Sequence, residues 1–252
     1  ILNGGTNYSI VHGDWPHALN WIKNNTPYDS VFFSWWDYGY WITTIGDRAT
    51  LADNATLIDH QIEKMGATFF KNEDDAWLQL IKQPIVEMRD GKILTPEQMT
   101  KAELYNAGFD SDYVLIFLAG MKLTGPNVVP FYILEGGGDE SKLFWFHKIS
   151  GIPVKHYLYP DATTPTKFAT QNTLIAALIP FSIGTYYNVD TNEYSNDWKD
   201  GFMPFYIKDP KLTDPDGPFP LVYASPSFYN QEPGVMSAVL VYKINHDYNP
   251  QN

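Results

Sequence analysis

Along the chain, stretches whose apolar residues recur every three or four positions alternate with short runs in which they are continuous, the pattern of helices set around short strands. Asp14-Trp15-Pro16 reads as a helix start, with Asp14 as N-cap and Pro16 in the first turn. Ala18, Leu19 and Ile22 give that helix an apolar face, and Asn25-Thr26-Pro27 ends it. Ser30 to Ser34 predicts a short strand leading into Trp35-Trp36-Asp37-Tyr38-Gly39, with a second near Thr50 to Ala52. Leu57 to Phe70 has helical spacing, and Asn72 is suited to cap the next helix, which carries Ala76, Trp77, Leu80 and Ile81. Arg89-Asp90-Gly91-Lys92 is a hairpin signal, and Thr95-Pro96-Glu97-Gln98 predicts a further helix start.

Asp112 to Leu118 predicts a buried strand, and the glycines at Gly136, Gly137 and Gly138 lead into a helix expected from Asp139 to about Ser150. Thr164-Pro165 opens another helix, with Thr164 as N-cap, running to about Leu178. Beyond Pro180 helical periodicity fades; Leu221 to Ala224 and Ala238 to Ile244 predict a closing pair of strands. The expected class is mixed α/β of the α+β kind, a helix-rich central core around short strands with β-rich C-terminal segments. Residues 1–183 are expected to form the core. Residues 184–252 are expected to supply a peripheral β-rich unit and the closing strands.

Charge narrows the partners. A net charge of -12 argues against nucleic acid and anionic lipid headgroups. The chain has no cysteine, which excludes a disulfide framework, a thiolate zinc site and a cysteine nucleophile. No apolar run approaches a membrane span, Tyr113 to Met121 being among the longest. The histidines show no ligand spacing, and Asp74-Asp75 and Asp214-Pro215-Asp216 read as solvated faces or turns. Asn7, Asn24 and Asn54 open N-x-Ser/Thr tripeptides, by chance or as glycosylation acceptors. The chain reads as a piece of something larger.

Trp35-Trp36-Asp37-Tyr38-Gly39 is the most informative stretch. Taken alone it fits core packing with a turn, or a small pocket. In the pocket reading, indole N–H groups only donate and an ionised Asp only accepts, so together they match one hydroxyl. The string resembles the WWDYG signature of oligosaccharyltransferase catalytic subunits, and the resemblance extends to Trp15–Ile22, Asn25–Pro27, Asp47–Thr56 and Asp112–Leu115. A second stretch, from Asp139 to Ile149, resembles the DxxKxxxMxxI motif of archaeal and eukaryotic members, with Phe146 where Met is usual. Its spacing puts Asp139, Lys142, Phe146 and Ile149 on one helix face, where the plain alternative is a capped amphipathic helix with a surface ion pair. With no cysteine, this points to the archaeal type.

The resemblance implies a domain that recognises the acceptor sequon, N-x-Ser/Thr, through Trp35, Trp36, Asp37, Tyr38, Gly39, Asp139, Lys142, Phe146 and Ile149. It implies a parent enzyme that transfers an oligosaccharide en bloc from a dolichyl phosphate or diphosphate carrier to asparagine at the extracytoplasmic face. The catalytic acids and a Mn²⁺ or Mg²⁺ ion would lie in a preceding transmembrane region, so no residue here is expected to be catalytic and this fragment alone is expected to be inactive. Two readings from other classes compete with it: a stand-alone carbohydrate-binding module, suggested by the aromatic content, and a glycosidase using paired carboxylates.

Overall fold

The computed structural model describes residues 13–56, 59–82, 88–89, 92–93, 107–124, 130–134, 137–209, 214–230 and 232–250. It is of the mixed class the sequence predicts: helices packed on a nine-stranded sheet that contains both parallel and antiparallel pairs.

The sheet is organised around β5, Tyr113–Thr124. Its first eight residues are all buried, so neither face there meets water, and the continuous apolar run follows from that. One edge of β5 pairs antiparallel with β11, Gly234–Lys243, from Tyr113 opposite Lys243 to Lys122 opposite Gly234. The other edge is divided. Over Tyr113 to Leu115 it pairs in parallel with β1, Val31–Ser34. Over Gly120 to Thr124 it pairs antiparallel with β6, Pro130–Leu134. Between these two partners lies a gap of four residues, Ile116 to Ala119, and the candidate site is built at that gap.

The remaining strands extend the sheet on both sides. β2, Ala49–Thr50, pairs with β1, and β10, Leu221–Ala224, pairs with β11. Beyond β6 come β9, Met203–Lys208, then β7, Phe181–Asn188, then β8, Glu193–Ser195. β3 and β4, Met88–Arg89 and Lys92–Ile93, form the expected hairpin as a separate ribbon.

Helices α1 (Asp14–Asn25) and α2 (Gly39–Thr44) flank β1 in the chain. α3 (Asp59–Phe69) and α4 (Glu73–Ile81) follow, and α5 is Leu143–Ser150. α6 (Lys167–Asn172), α7 (Leu174–Leu178) and α8 (Pro226–Tyr229) are short. Asn72 caps α4 as expected, accepting from the Asp75 N–H at 2.8 Å.

Three expectations need correction. Asp14 is not the cap of α1: Gly13 takes that place at φ 67, a left-handed conformation that suits glycine, and Asp14 is the first helical residue. Its fully buried carboxylate instead accepts from the Ser227 N–H at 3.0 Å, at the start of α8. Nor does Thr164 open a helix to Leu178. The helix is split in two, with Thr166 capping α6 and an extended Thr173 (φ -128, ψ 147) capping α7. Finally, the helix expected from Asp139 is a 3-10 turn over Asp139–Lys142 followed by α5. The strands β5 and β11 also run to 12 and 10 residues, longer than the runs read from the sequence. The helix start expected at Thr95 lies outside the described residues.

Candidate functional site

β1 delivers Trp35 at its end, and the chain then turns through one 3-10 turn, Trp36–Tyr38, before α2 begins at Gly39. Glycine is required there by close approach: a Cβ on Gly39 would stand 2.0 Å from the carbonyl oxygen of Ala52. Trp35 is buried and its ring lies 4.5 Å from that of Phe146, which stacks on Phe69 at 4.7 Å. Phe146 is fully buried and packs directly onto the first tryptophan. Trp36 is half-buried, and its indole N–H is buried with no acceptor among the described residues.

The polar residues of the two motifs meet. Lys142 Nζ donates to Asp37 Oδ2 at 2.8 Å and to the Tyr38 hydroxyl oxygen at 2.8 Å. The Tyr38 hydroxyl donates to Asp139 Oδ1 at 2.7 Å, and Asp139 Oδ2 accepts from the Phe117 N–H at 2.9 Å. Phe117 lies in the gap of β5, so Asp139 supplies the acceptor that a neighbouring strand would otherwise offer. The result is one connected chain from the sheet interior to the rim. Asp139 is fully buried, while the Lys142 and Asp37 side chains are 12% and 28% exposed. Tyr38 lies against Trp15, with ring centroids 4.9 Å apart, and Lys142 Nζ stands 4.4 Å from the centre of the Tyr38 ring.

Burial sets the electrostatics. It pushes the Asp139 carboxyl up to about 6, against the pull of the Lys142 ammonium, the Phe117 N–H and the Tyr38 hydroxyl. Burial, followed by the neighbouring Asp139, raises Tyr38 well above an ordinary phenol, so it stays a protonated donor. Lys142 stands 3.9 Å from Asp139 Oδ1, too far for a hydrogen bond, so one of its three protons has no hydrogen-bond acceptor among the described residues.

Of the residues read from the sequence, Asp37, Tyr38, Asp139 and Lys142 form this chain, Trp35 and Phe146 form its apolar bed, and Gly39 permits the turn. Ile149 is half-buried against the core and does not reach the polar cluster among the contacts of the described residues. Two parts were not singled out: the backbone of Phe117 and the ring of Trp15. The first has no side-chain signal, because the group that matters is an amide left open by strand pairing. Trp15 does lie in a stretch that resembles the family flank. Among the described residues no group of three His, Cys, Asp or Glu could hold a metal ion.

No family model matches the chain. It is similar to the dolichyl-diphosphooligosaccharide–protein glycosyltransferase subunit stt3 of Schizosaccharomyces pombe, 29% identical over 172 residues, which cover 68% of this chain and 17% of that protein. Subunit STT3B of Oryza sativa is 39% identical over 75 residues, 30% of this chain and 10% of the relative. The chain thus spans less than a fifth of the curated relatives it matches. Among solved structures it is similar to the C-terminal globular domain of oligosaccharyltransferase from Archaeoglobus fulgidus, with a TM-score of 0.42 and 15% identity, covering 92% of this chain and 97% of that one. In sequence, therefore, the chain resembles a limited portion of oligosaccharyltransferase subunits.

Proposed function

We propose that this chain is the acceptor-recognition part of an oligosaccharyltransferase catalytic subunit, binding the hydroxyl residue of N-x-Ser/Thr at the rim formed by Asp37 and Lys142. The observation that carries the reading is the meeting of these two residues, 105 positions apart, at 2.8 Å over an aromatic bed. A hydroxyl arriving at the rim donates to Asp37 Oδ1, which has no hydrogen-bond partner among the described residues, and accepts the free proton of Lys142. The unpartnered Trp36 N–H offers a further donor. The methyl of Thr adds about 0.8 kcal/mol of burial over Ser, so Thr acceptors react a few-fold better.

On this reading Asp139 and Lys142 speak for the archaeal or eukaryotic branch, the lack of cysteine favours the archaeal type, and the site faces the extracytoplasmic side. No helix among the described residues is long and apolar enough to cross a membrane, and the chain's own transmembrane region would precede it. The parent transfers the oligosaccharide from a dolichyl-linked carrier to the acceptor asparagine. Activating a weakly nucleophilic amide calls for a metal-bound carboxylate cluster, Mn²⁺ or Mg²⁺ in this family. The described residues of this chain do not offer one. What this chain contributes is binding and orientation of the acceptor. This fragment, incubated with lipid-linked oligosaccharide, Mn²⁺ and a sequon peptide, is expected to give no glycopeptide by mass spectrometry; turnover would place catalysis within it.

Lys142→Met in the full-length enzyme tests the rim directly, because the stem over Tyr38 is kept and only the ammonium is lost. The kcat/KM is expected to fall about ten-fold or more with both Thr and Ser peptides, the loss of a charge-assisted hydrogen bond. The Thr-to-Ser ratio should hold, since the methyl is recognised by other contacts. Unchanged kinetics with both peptides would reduce Lys142 to a structural partner of Asp139.

A further inference from the structure

A second groove lies on the far part of the sheet. Along one side β7 pairs with β9, from Phe181 opposite Lys208 to Tyr187 opposite Met203. On its other side β8 pairs only with Tyr186 to Asn188. Among the described residues, the outer backbone edge from Phe181 to Thr185 therefore has no partner strand. A cavity of about 320 Å³ opens there, lined by six consecutive residues, Phe181 to Tyr186. Residues on one face of a strand alternate, so an unbroken run along a cavity places the opening beside the strand edge rather than over a face. The facing wall comes from α6, from α7 through Ile175 and Ala176, and from Ile179 just after it. The segment carries no lysine or proline of the kind that blocks strand edges. It does hold an irregularity between Ile183 and Thr185 that interrupts the pairing with β9.

We infer that this groove binds an extended segment of the acceptor polypeptide by strand addition to β7, with one bulky apolar side chain seated between Ile175, Ile179 and Phe181. The inference rests on the function proposed above. Every second residue from Phe181 to Thr185 turns its N–H and C=O to the outer edge, which matches another polypeptide backbone, and the adjoining pocket takes alternate side chains. The choice of the acceptor follows from continuity: the cavity is also lined by Glu140 and Leu143, the first lying between Asp139 and Lys142 and the second next to Lys142. One short stretch of chain, Asp139 to Leu143, thus contributes to both sites. The groove gives no sequon specificity; it adds affinity to acceptors that present an extended apolar segment near the sequon.

The test uses this chain and synthetic peptides followed by NMR. One peptide carries Asn-Ala-Thr alone. Two others add Val-Phe-Val through a short flexible spacer, on the N-terminal or the C-terminal side. One of the two extended peptides is expected to bind about ten-fold more tightly, the gain of seating one apolar side chain, and to slow amide exchange over Ser182 to Thr185. Ala176→Phe, which fills the cavity, should remove the gain and leave the unextended peptide unaffected. N-methylation of the Val-Phe-Val amides should remove it with the protein unaltered. No gain from either extension, or a gain that survives N-methylation, overturns strand addition. If Lys142→Met still weakens the unextended peptide in that case, the proposed function stands without the groove. A gain from Val-Phe-Val with a silent Lys142→Met upholds the groove and sinks the sequon reading.

Discussion

Under the proposed function, Asp37→Asn in the parent oligosaccharyltransferase is expected to lower kcat/KM by about ten- to a hundred-fold, the weight of one charge-assisted hydrogen bond of roughly 1.5–3 kcal/mol. The amide keeps the shape of the carboxylate but loses its charge and presents a donor where the incoming hydroxyl needs an acceptor. Lys142 retains the Tyr38 hydroxyl and nearby Asp139, so the fold loses only a part-exposed ion pair, under about 1 kcal/mol. Thermal denaturation of the variant should therefore nearly match the parent. Normal glycan transfer with a shifted melting temperature would invert the assignment and make Asp37 a structural partner of Lys142.

Asp139→Ala is expected to be the more damaging change for the fold, at about 3–5 kcal/mol, because a fully buried acceptor is removed from two donors at once. The Phe117 N–H is left open in the middle of the sheet, and the Tyr38 hydroxyl loses the group that orients it towards Lys142. In a chain of this size that is a fall in Tm of roughly 10 °C, measurable by calorimetry. Asp139→Asn should cost less, and it exposes a pH dependence. The Asp139 carboxyl sits at about 6 in the folded protein and 3.8 in the unfolded one, so the folded form holds the proton more tightly. Its contribution to stability is fully present below pH 3.8 and is lost as pH rises through 6. The parent should therefore gain about 2 kcal/mol over Asp139→Asn when the pH falls from 7 to 4. A constant difference between the two across that range would mean Asp139 is not held in a desolvated site.

How much of this was legible beforehand divides along a physical line. Local signals held: the strand running into Trp35, the cap at Asn72, the pairing of Arg89 with Lys92 and the buried run from Tyr113. Each depends on residues within a few positions of one another. The segment from Asp139 to Ile149 sets Lys142 beside Asp37 and Phe146 against Trp35, although it begins as a 3-10 turn and Ile149 stays apart from the polar cluster among the described residues. Contacts set by pairing across the sheet were not legible. The buried carboxylate of Asp14 reads as a helix cap in sequence, and only the return of the chain 213 residues later gives it Ser227 as partner. Asp139 likewise looked like a surface or rim acid. The gap it fills in β5 exists only once β1 and β6 have divided that edge between them.

The central position of β11 has a consequence for how the chain is made. β5 is complete at Thr124, but the partner covering one whole edge of it begins at Gly234. At ordinary ribosomal speeds of about 5–20 residues per second, the intervening stretch takes roughly 5–20 s to synthesise. Throughout that interval an apolar strand destined for burial on both faces has one edge open, the state from which nascent chains mispair and aggregate. The sheet can close only once Gly234 to Lys243 has left the ribosome, so polypeptides truncated before Gly234 should be retained by holding chaperones, and those that extend past Lys243 released.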